Sequence, residues 1–242
     1  RYSRYRRRRH GRPAADVSAE RFVVCLQNHD QTGNRAWGER LASLVGPDAL
    51  RLAAAILLLS PYLPLLFMGE EHGETNPFLY FTSHGDPALV EAVRQGRRRE
   101  FEAFAWSGEV PDPQAEDTFQ RSRPRWEAAE SGDGSRLRAL YRDLIRLRRA
   151  EPALRPGAAQ VAVRHDDAEG WVAVRYQRGD AVLESVFNLS AVARVVPVAA
   201  PERSRLVFST DAPGYGGEGR ATLGPELGLP PHAGVLLRQD GT

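Results

Sequence analysis

The 242 residues are 42% hydrophobic and 26% charged, with a formal net charge of +2. Such proportions exclude wholesale disorder and a collagen-like repeat, and the length allows one large domain or two smaller ones with a sizeable core. A single cysteine, Cys25, excludes an internal disulfide, a thiolate zinc cage and an iron–sulfur site.

Residue 1 is Arg and the only methionine is Met68, which suggests a piece of a longer protein. Residues 1–12 hold seven arginines and no acid, so the remainder is net acidic. A basic arm with two tyrosines can bind phosphates and stack on bases. No recognition fold follows it, so a solvated loop is the simpler reading and no nucleic-acid partner is expected. The arm runs into Gly11-Arg12-Pro13 and not into an apolar core, so it is no signal peptide. The most apolar run, Leu52 to Phe67, is broken by Pro61 and Pro64 and is too short to span a bilayer. A cytoplasmic location without membrane contact is the expectation.

Residues 21–27 read as a buried strand stopped by Asn28-His29-Asp30, followed by a polar loop from Gln31 to Arg40. Pro47-Asp48 open a helix through Leu59 whose Ala-Ala-Ala-Ile-Leu-Leu-Leu stretch is apolar on every side and should be deeply covered. Leu63–Met68 form a second strand ending in Gly69-Glu70-Glu71, and Asp86-Pro87 start a helix to about Arg99. A Pro-, Asp- and Gln-rich loop covers about 107–125. The helix expected from Ser135 to Arg149 carries one apolar stripe of Leu137, Leu140, Tyr141, Leu144 and Ile145, with arginines on a solvated face.

After Pro156-Gly157 the pattern alternates. Residues 160–164, 171–176, 181–187, 192–198, 205–208 and 234–238 read as short strands of an antiparallel sandwich, with Arg178-Gly179-Asp180 as a hairpin turn. The fold class expected is α/β followed by all-β. Residues 1–153 would be the C-terminal part of a TIM (β/α)8 barrel, and 154–242 an antiparallel β-sandwich domain.

Catalytic groups in such barrels sit at the C-terminal ends of strands, where Asn28-His29-Asp30 and Glu70-Glu71 fall. Adjacent strands are about 4.8 Å apart, so Asp30 and Glu70 could face one pocket as the paired carboxylates of glycoside hydrolysis. Spacing leaves two alternatives open: Asn and Asp satisfying backbone groups at a loop start, and a solvated or helix-capping Glu70-Glu71 pair. No Gly-rich phosphate loop, nucleophile elbow or metal-ligand spacing of the six histidines occurs, so neither metal nor cofactor is expected.

Phe22-Val-Val-Cys-Leu-Gln-Asn-His-Asp30 and Leu65-Leu-Phe-Met-Gly-Glu-Glu71 resemble the strand-seven and strand-eight motifs of the alpha-amylase family of glycoside hydrolases. Gln27 through Arg35, Gly38-Glu39-Arg40, Pro77 through Thr82, His84 and Gly96-Arg-Arg-Arg-Glu-Phe101 resemble that family's trehalose-releasing members. The resemblance implies a retaining hydrolase that cuts the α-1,4 bond next to the terminal trehalose of maltooligosyltrehalose. It implies that Asp30 is neither nucleophile nor acid. Asp30 would grip the sugar in the transition state, and His29 would bond the same sugar while Asn28 orients the loop. Gln31, Asn34 and Arg35 are either sugar contacts or loop-stabilising groups, and Glu70 remains a candidate substrate contact without an assured catalytic role.

The nucleophilic Asp and acid Glu of the family would lie in a missing N-terminal part, leaving this chain inactive alone. His72 and Ser83 depart from the family pattern, which has a larger aromatic and an Asp there. Another alpha-amylase-type enzyme, such as a branching enzyme or an amylase, and a non-catalytic carbohydrate-binding fragment are the alternatives.

Overall fold

A computed structural model of the chain describes residues 2–4, 6–12, 14, 16–102, 110–155, 157 and 159–240. Tyr5, Pro13, Pro156 and residues 107–109, which enter the sequence reading, lie outside them. The basic opening folds as an antiparallel ribbon, β1 (Tyr2–Ser3) against β2 (Arg8–Arg9), with the described arginines exposed. Next, β3 (Val23–Cys25) ends before the short helix α1 (His29–Gly33), so the polar loop expected from Gln31 begins inside a helix. The α1 helix forms because the Asn28 side chain accepts from the Gln31 N–H at 2.8 Å and caps its first turn.

Helix α2 (Leu41–Leu44) leads to α3 (Pro47–Leu58), which starts at Pro47 as its sequence dictates. Strand β4 (Leu63–Leu65) pairs parallel with β3, Val23 opposite Leu63 and Cys25 opposite Leu65. Both strands are shorter than expected, and β3 is not buried. Val23 is 63% exposed, with Leu63 and Leu65 also exposed. Two strands alone leave one sheet face without neighbours among the described residues.

Helix α4 (Pro87–Glu102) is capped by Asp86, whose carboxylate accepts from the Ala88 N–H. The segment expected to be loop contains α5 (Glu116–Arg121). No apolar stripe announces it; Thr118 and Ser122 anchor it by donating to the Asp112 and Thr118 carbonyls. Helix α6 (Gly132–Ala150) buries Leu137, Leu140, Tyr141 and Leu144, the stripe read from the sequence. Its arginine face is not wholly solvated. Arg148 donates to the carbonyls of Leu58, Ser60 and Tyr62, capping the C-terminus of α3.

The remaining strands are β5 (Gln160–Asp166), β6 (Trp171–Arg178), β7 (Ala181–Asn188), β8 (Arg194–Val196), β9 (Ser204–Ser209), β10 (Thr222–Leu223), β11 (Leu227–Leu229) and β12 (Gly234–Gln239). They form an antiparallel five-stranded sheet, β5-β6-β7-β12-β9, and a three-stranded sheet, β10-β11-β8. Strands β10 and β11 are too short and glycine-rich to show alternation in sequence. The β6–β7 turn places Gly179 at φ +58°, so the Arg-Gly-Asp triplet is the hairpin its composition indicated.

Alternation divides the larger sheet cleanly. Tyr176, Leu183, Phe187 and Leu236 join α3 and α6 in one core, while Ala173, Val186, Val235 and Leu237 pack with Val196, Leu227 and Leu229 of the smaller sheet. Leu140 sits fully buried in the first core. Leu140→Ala is expected to cost the whole protein about 2–5 kcal/mol, read by urea unfolding; a cost under about 1 kcal/mol would show that α6 is dispensable to that core.

Candidate functional site

The residues singled out in the sequence follow the C-terminal ends of β3 and β4. Asn28 is half-buried and occupied with structure: it caps α1, and its amide nitrogen lies 3.6 Å from Cys25 Sγ. Immediately after it, His29 and Asp30 project outward. Their side chains are 74% and 76% exposed, with His29 Nε2 3.4 Å from an Asp30 carboxylate oxygen. Gln31 and Asn34 are exposed beside them, whereas Arg35 is tied to Glu39 at 3.0 Å.

Glu70 stands elsewhere. Gly69, at φ +88°, turns the chain into a 3-10 turn (Glu70–His72) that carries the Glu70 side chain under α6. There the Tyr141 hydroxyl donates to it at 3.4 Å. Burial pushes its pKa up to about 7, with Glu71 adding to the rise; hydrogen bonds from Phe67, Tyr141 and Gln27 oppose it without overcoming it. The pairing of Asp30 and Glu70 in one pocket, suggested by strand spacing, is therefore not formed. Asp30 faces solvent, while Glu70 faces a helix. Tyr141 in turn is held well above the ordinary phenol range by burial and by Glu70.

Beneath the site lies a charged cluster that the sequence reading missed. Arg40 is 1% exposed. It donates to the carbonyls of Asn76 at 2.8 Å and Met68 at 2.7 Å, and lies 5.0 Å from the Phe67 ring centroid and 5.8 Å from that of Phe78. Burial lowers its pKa, opposed by Glu74, Glu71 and Glu70. Glu74, also buried, accepts from the Asn76 N–H at 2.7 Å, from the Arg125 N–H and from the Arg125 guanidinium. Burial works against its charge, but these donors hold its carboxyl below the usual carboxylate range. An arginine and a glutamate in a polar stretch carry no sign of burial; only the string Gly38-Glu39-Arg40 drew notice, through resemblance.

The departures from the family pattern fall into place structurally. The His72 side chain is fully buried, its ring 5.6 Å from that of Trp126 and its Nδ1 3.3 Å from Glu71, while Ser83 is exposed. Among the described residues no group of three His, Cys, Asp or Glu is placed to hold a metal ion, and no helix is long and apolar enough to cross a membrane.

Residues 156–236 match a family described as Domain of unknown function (DUF3459). The malto-oligosyltrehalose trehalohydrolase of Rhizobium sp. (strain M-11) is 43% identical over 98% of this chain, and that of Brevibacterium helvolum is 41% identical over 98%. The chain spans 38% and 39% of the length of these relatives. A crystal structure described as "Putative alpha Amylase from Salmonella typhimurium" superposes with a TM-score of 0.81 at 33% identity, over 99% of this chain and 39% of that one. An alpha-amylase from H. orenii shares the fold at a TM-score of 0.55 and 20% identity, over 90% of this chain and 40% of that one.

Glu70 makes a pH dependence testable. It ionises near 7 in the fold but at about 4.3 in an unfolded chain. Between those values the folded state binds the extra proton, so this contribution to stability is full below about pH 4.3 and is lost as pH rises through 7. E70Q should remove that slope, seen as a melting temperature that gains on the unmodified protein as pH rises from 5 to 8. Parallel melting curves would refute the assignment.

Proposed function

We propose, from a chain homologous over nearly its whole length to the malto-oligosyltrehalose trehalohydrolases, that the whole protein is a retaining glycoside hydrolase releasing trehalose from maltooligosyltrehalose. The observation that carries this reading is the exposed His29-Asp30 pair beyond the C-terminal end of a parallel strand, in a helical turn capped by the half-buried Asn28. In this reading residues 1–153 are the last strand–helix units of a (β/α)8 barrel and residues 154–242 are the β-sandwich domain. The exposed apolar side chains of Val23, Leu63 and Leu65 support it, because the remaining barrel strands would cover such a face.

The chemistry follows from the exposure. Glycoside hydrolysis passes through an oxocarbenium-like transition state in which the sugar ring flattens and positive charge develops. An accessible carboxylate at Asp30, gripping the ring hydroxyls, strengthens its hydrogen bonds as that charge develops and so acts on turnover more than on binding. His29, adjacent and equally exposed, would hold the same sugar. Gln31 and Asn34 are free to reach substrate, whereas Asn28 and Arg35 serve the loop through Gln31 and Glu39. Glu70, turned toward Tyr141, would act on the architecture of the site and not on the sugar. Segments outside this chain supply the nucleophile and the general acid. The setting proposed is cytoplasmic, with an α-glucan ended by trehalose as substrate.

The whole protein should release trehalose from maltooligosyltrehalose and act poorly on plain maltooligosaccharides, measured by product chromatography; the opposite preference would favour an amylase. D30N should lower kcat by about 10²–10³-fold while changing ground-state binding of maltotriose by less than about threefold. Retained turnover would remove Asp30 from the reaction.

A further inference from the structure

The run Gly96-Arg97-Arg98-Arg99-Glu100-Phe101 on α4 contributes to the resemblance, yet the proposed reaction gives it no part. Arg98 and Arg99 are ordinary exposed helix residues. Arg97 is 7% exposed. Its guanidinium lies 4.5 Å from the Tyr80 ring centroid and 4.6 Å from that of Phe101. One terminal nitrogen pairs with Glu100 at 3.0 Å, and the other donates at 3.1 Å to the carbonyl of Gly33, 64 residues away in sequence.

Gly33 is the last residue of α1. A five-residue helix cannot hold itself in water, because its nucleation cost exceeds what its few hydrogen bonds return. Helix ends also leave carbonyls without intrahelical partners. The α1 helix is held at its start by the Asn28 side chain and at its end by Arg97. Between those points sits Asp30, whose carbonyl accepts from the Asn34 N–H at 3.1 Å and whose side chain is 76% exposed, with the equally exposed His29 ring 3.4 Å from its carboxylate. The position of the carboxylate is therefore set by the backbone of α1, and that backbone is anchored from α4.

We propose that Arg97 is a positioning residue for Asp30, fixing α1 from its C-terminal end and so setting where the carboxylate meets the sugar. The proposal rests on the reading of Asp30 as a transition-state stabiliser. Arginine suits the task because its planar fork stacks between Tyr80 and Phe101 while still reaching a carbonyl; the compact ammonium of a lysine cannot do both.

The test uses the whole protein with R97M and R97K, and R98M as the control on the exposed face of the same helix. In R97M the Asn34 amide should exchange hydrogen at least about tenfold faster, with α6 unchanged. The kcat for trehalose release should fall about 10–100-fold with KM within about threefold, while R98M matches the unmodified protein. Combined with D30N, R97M should cost less than about twofold, since no carboxylate remains to be positioned. An equal loss with and without D30N, or unchanged exchange in α1, overturns the proposal. If R97M does not fold, R97K carries the same cycle with smaller effects in the same direction. If the whole protein cleaves plain maltooligosaccharides instead, the substrate reading fails and the cycle is run on them. If D30N has no effect, Asp30 has no part in the reaction and the proposal falls with that reading. If the whole protein cleaves neither substrate, faster Asn34 exchange in R97M supports the anchoring of α1 from α4 and unchanged exchange overturns it.

Discussion

A guanidinium stripped of its water depends on partners inside the fold. The loops around the candidate site supply Arg40 with two carbonyls, two aromatic rings and nearby carboxylates, while its second terminal nitrogen is buried without a hydrogen bond among the described residues. Its donors reach the carbonyls of Met68 and Asn76, its plane lies against Phe67 and Phe78, and Glu74 and Glu71 face it. Leaving such a charge unpaired would cost several kcal/mol, so the segment after β4 folds back over Arg40. Two glycines permit the close approach. Gly38, at φ +57°, would place a Cβ 2.4 Å from the Phe78 carbonyl oxygen, and Gly69, at φ +88°, would place one 2.7 Å from the Glu74 Cβ. The Phe78 N–H then donates to the Gly38 carbonyl, and the Leu41 N–H donates to Gln27, closing the loop that carries Asp30 at its base.

The second determinant is the end of α3. Its last carbonyls and those just beyond are taken by Arg148 of α6 and by the hydroxyl of Tyr176 in β6. A strand–helix segment, a long helix and the larger antiparallel sheet thus meet at one helix terminus, within a single apolar core. That convergence explains why the stretch 53–59 that closes α3 is apolar on every side. One flank meets α6 and another meets the sheet, so α3 has little solvated face to reserve for charge.

Elements with a strong period were legible in the chain. The stripe of α6, the proline start of α3, the Asp86 cap of α4 and the hairpin at Gly179 all follow from local chemistry. Elements without one were not: α5, β10 and β11 are short and polar or glycine-rich, and form because neighbours complete their hydrogen bonds. The candidate site divides the same way. Asn28 as a cap and His29 and Asp30 at a strand's end follow from residue type and position. The inward turn of Glu70, the burial of Arg40 and Glu74, and the reach of Arg97 to Gly33 depend on groups dozens of residues away.

The order of elements, α/β first and β after, and the turn that presents Asp30 are written in the chain itself, because capping and periodicity act within a few residues. Which charged side chains face water and which support the site is settled by long-range packing. The cost of burying a charge depends on the partners that surround it, and those partners converge only when the chain has folded.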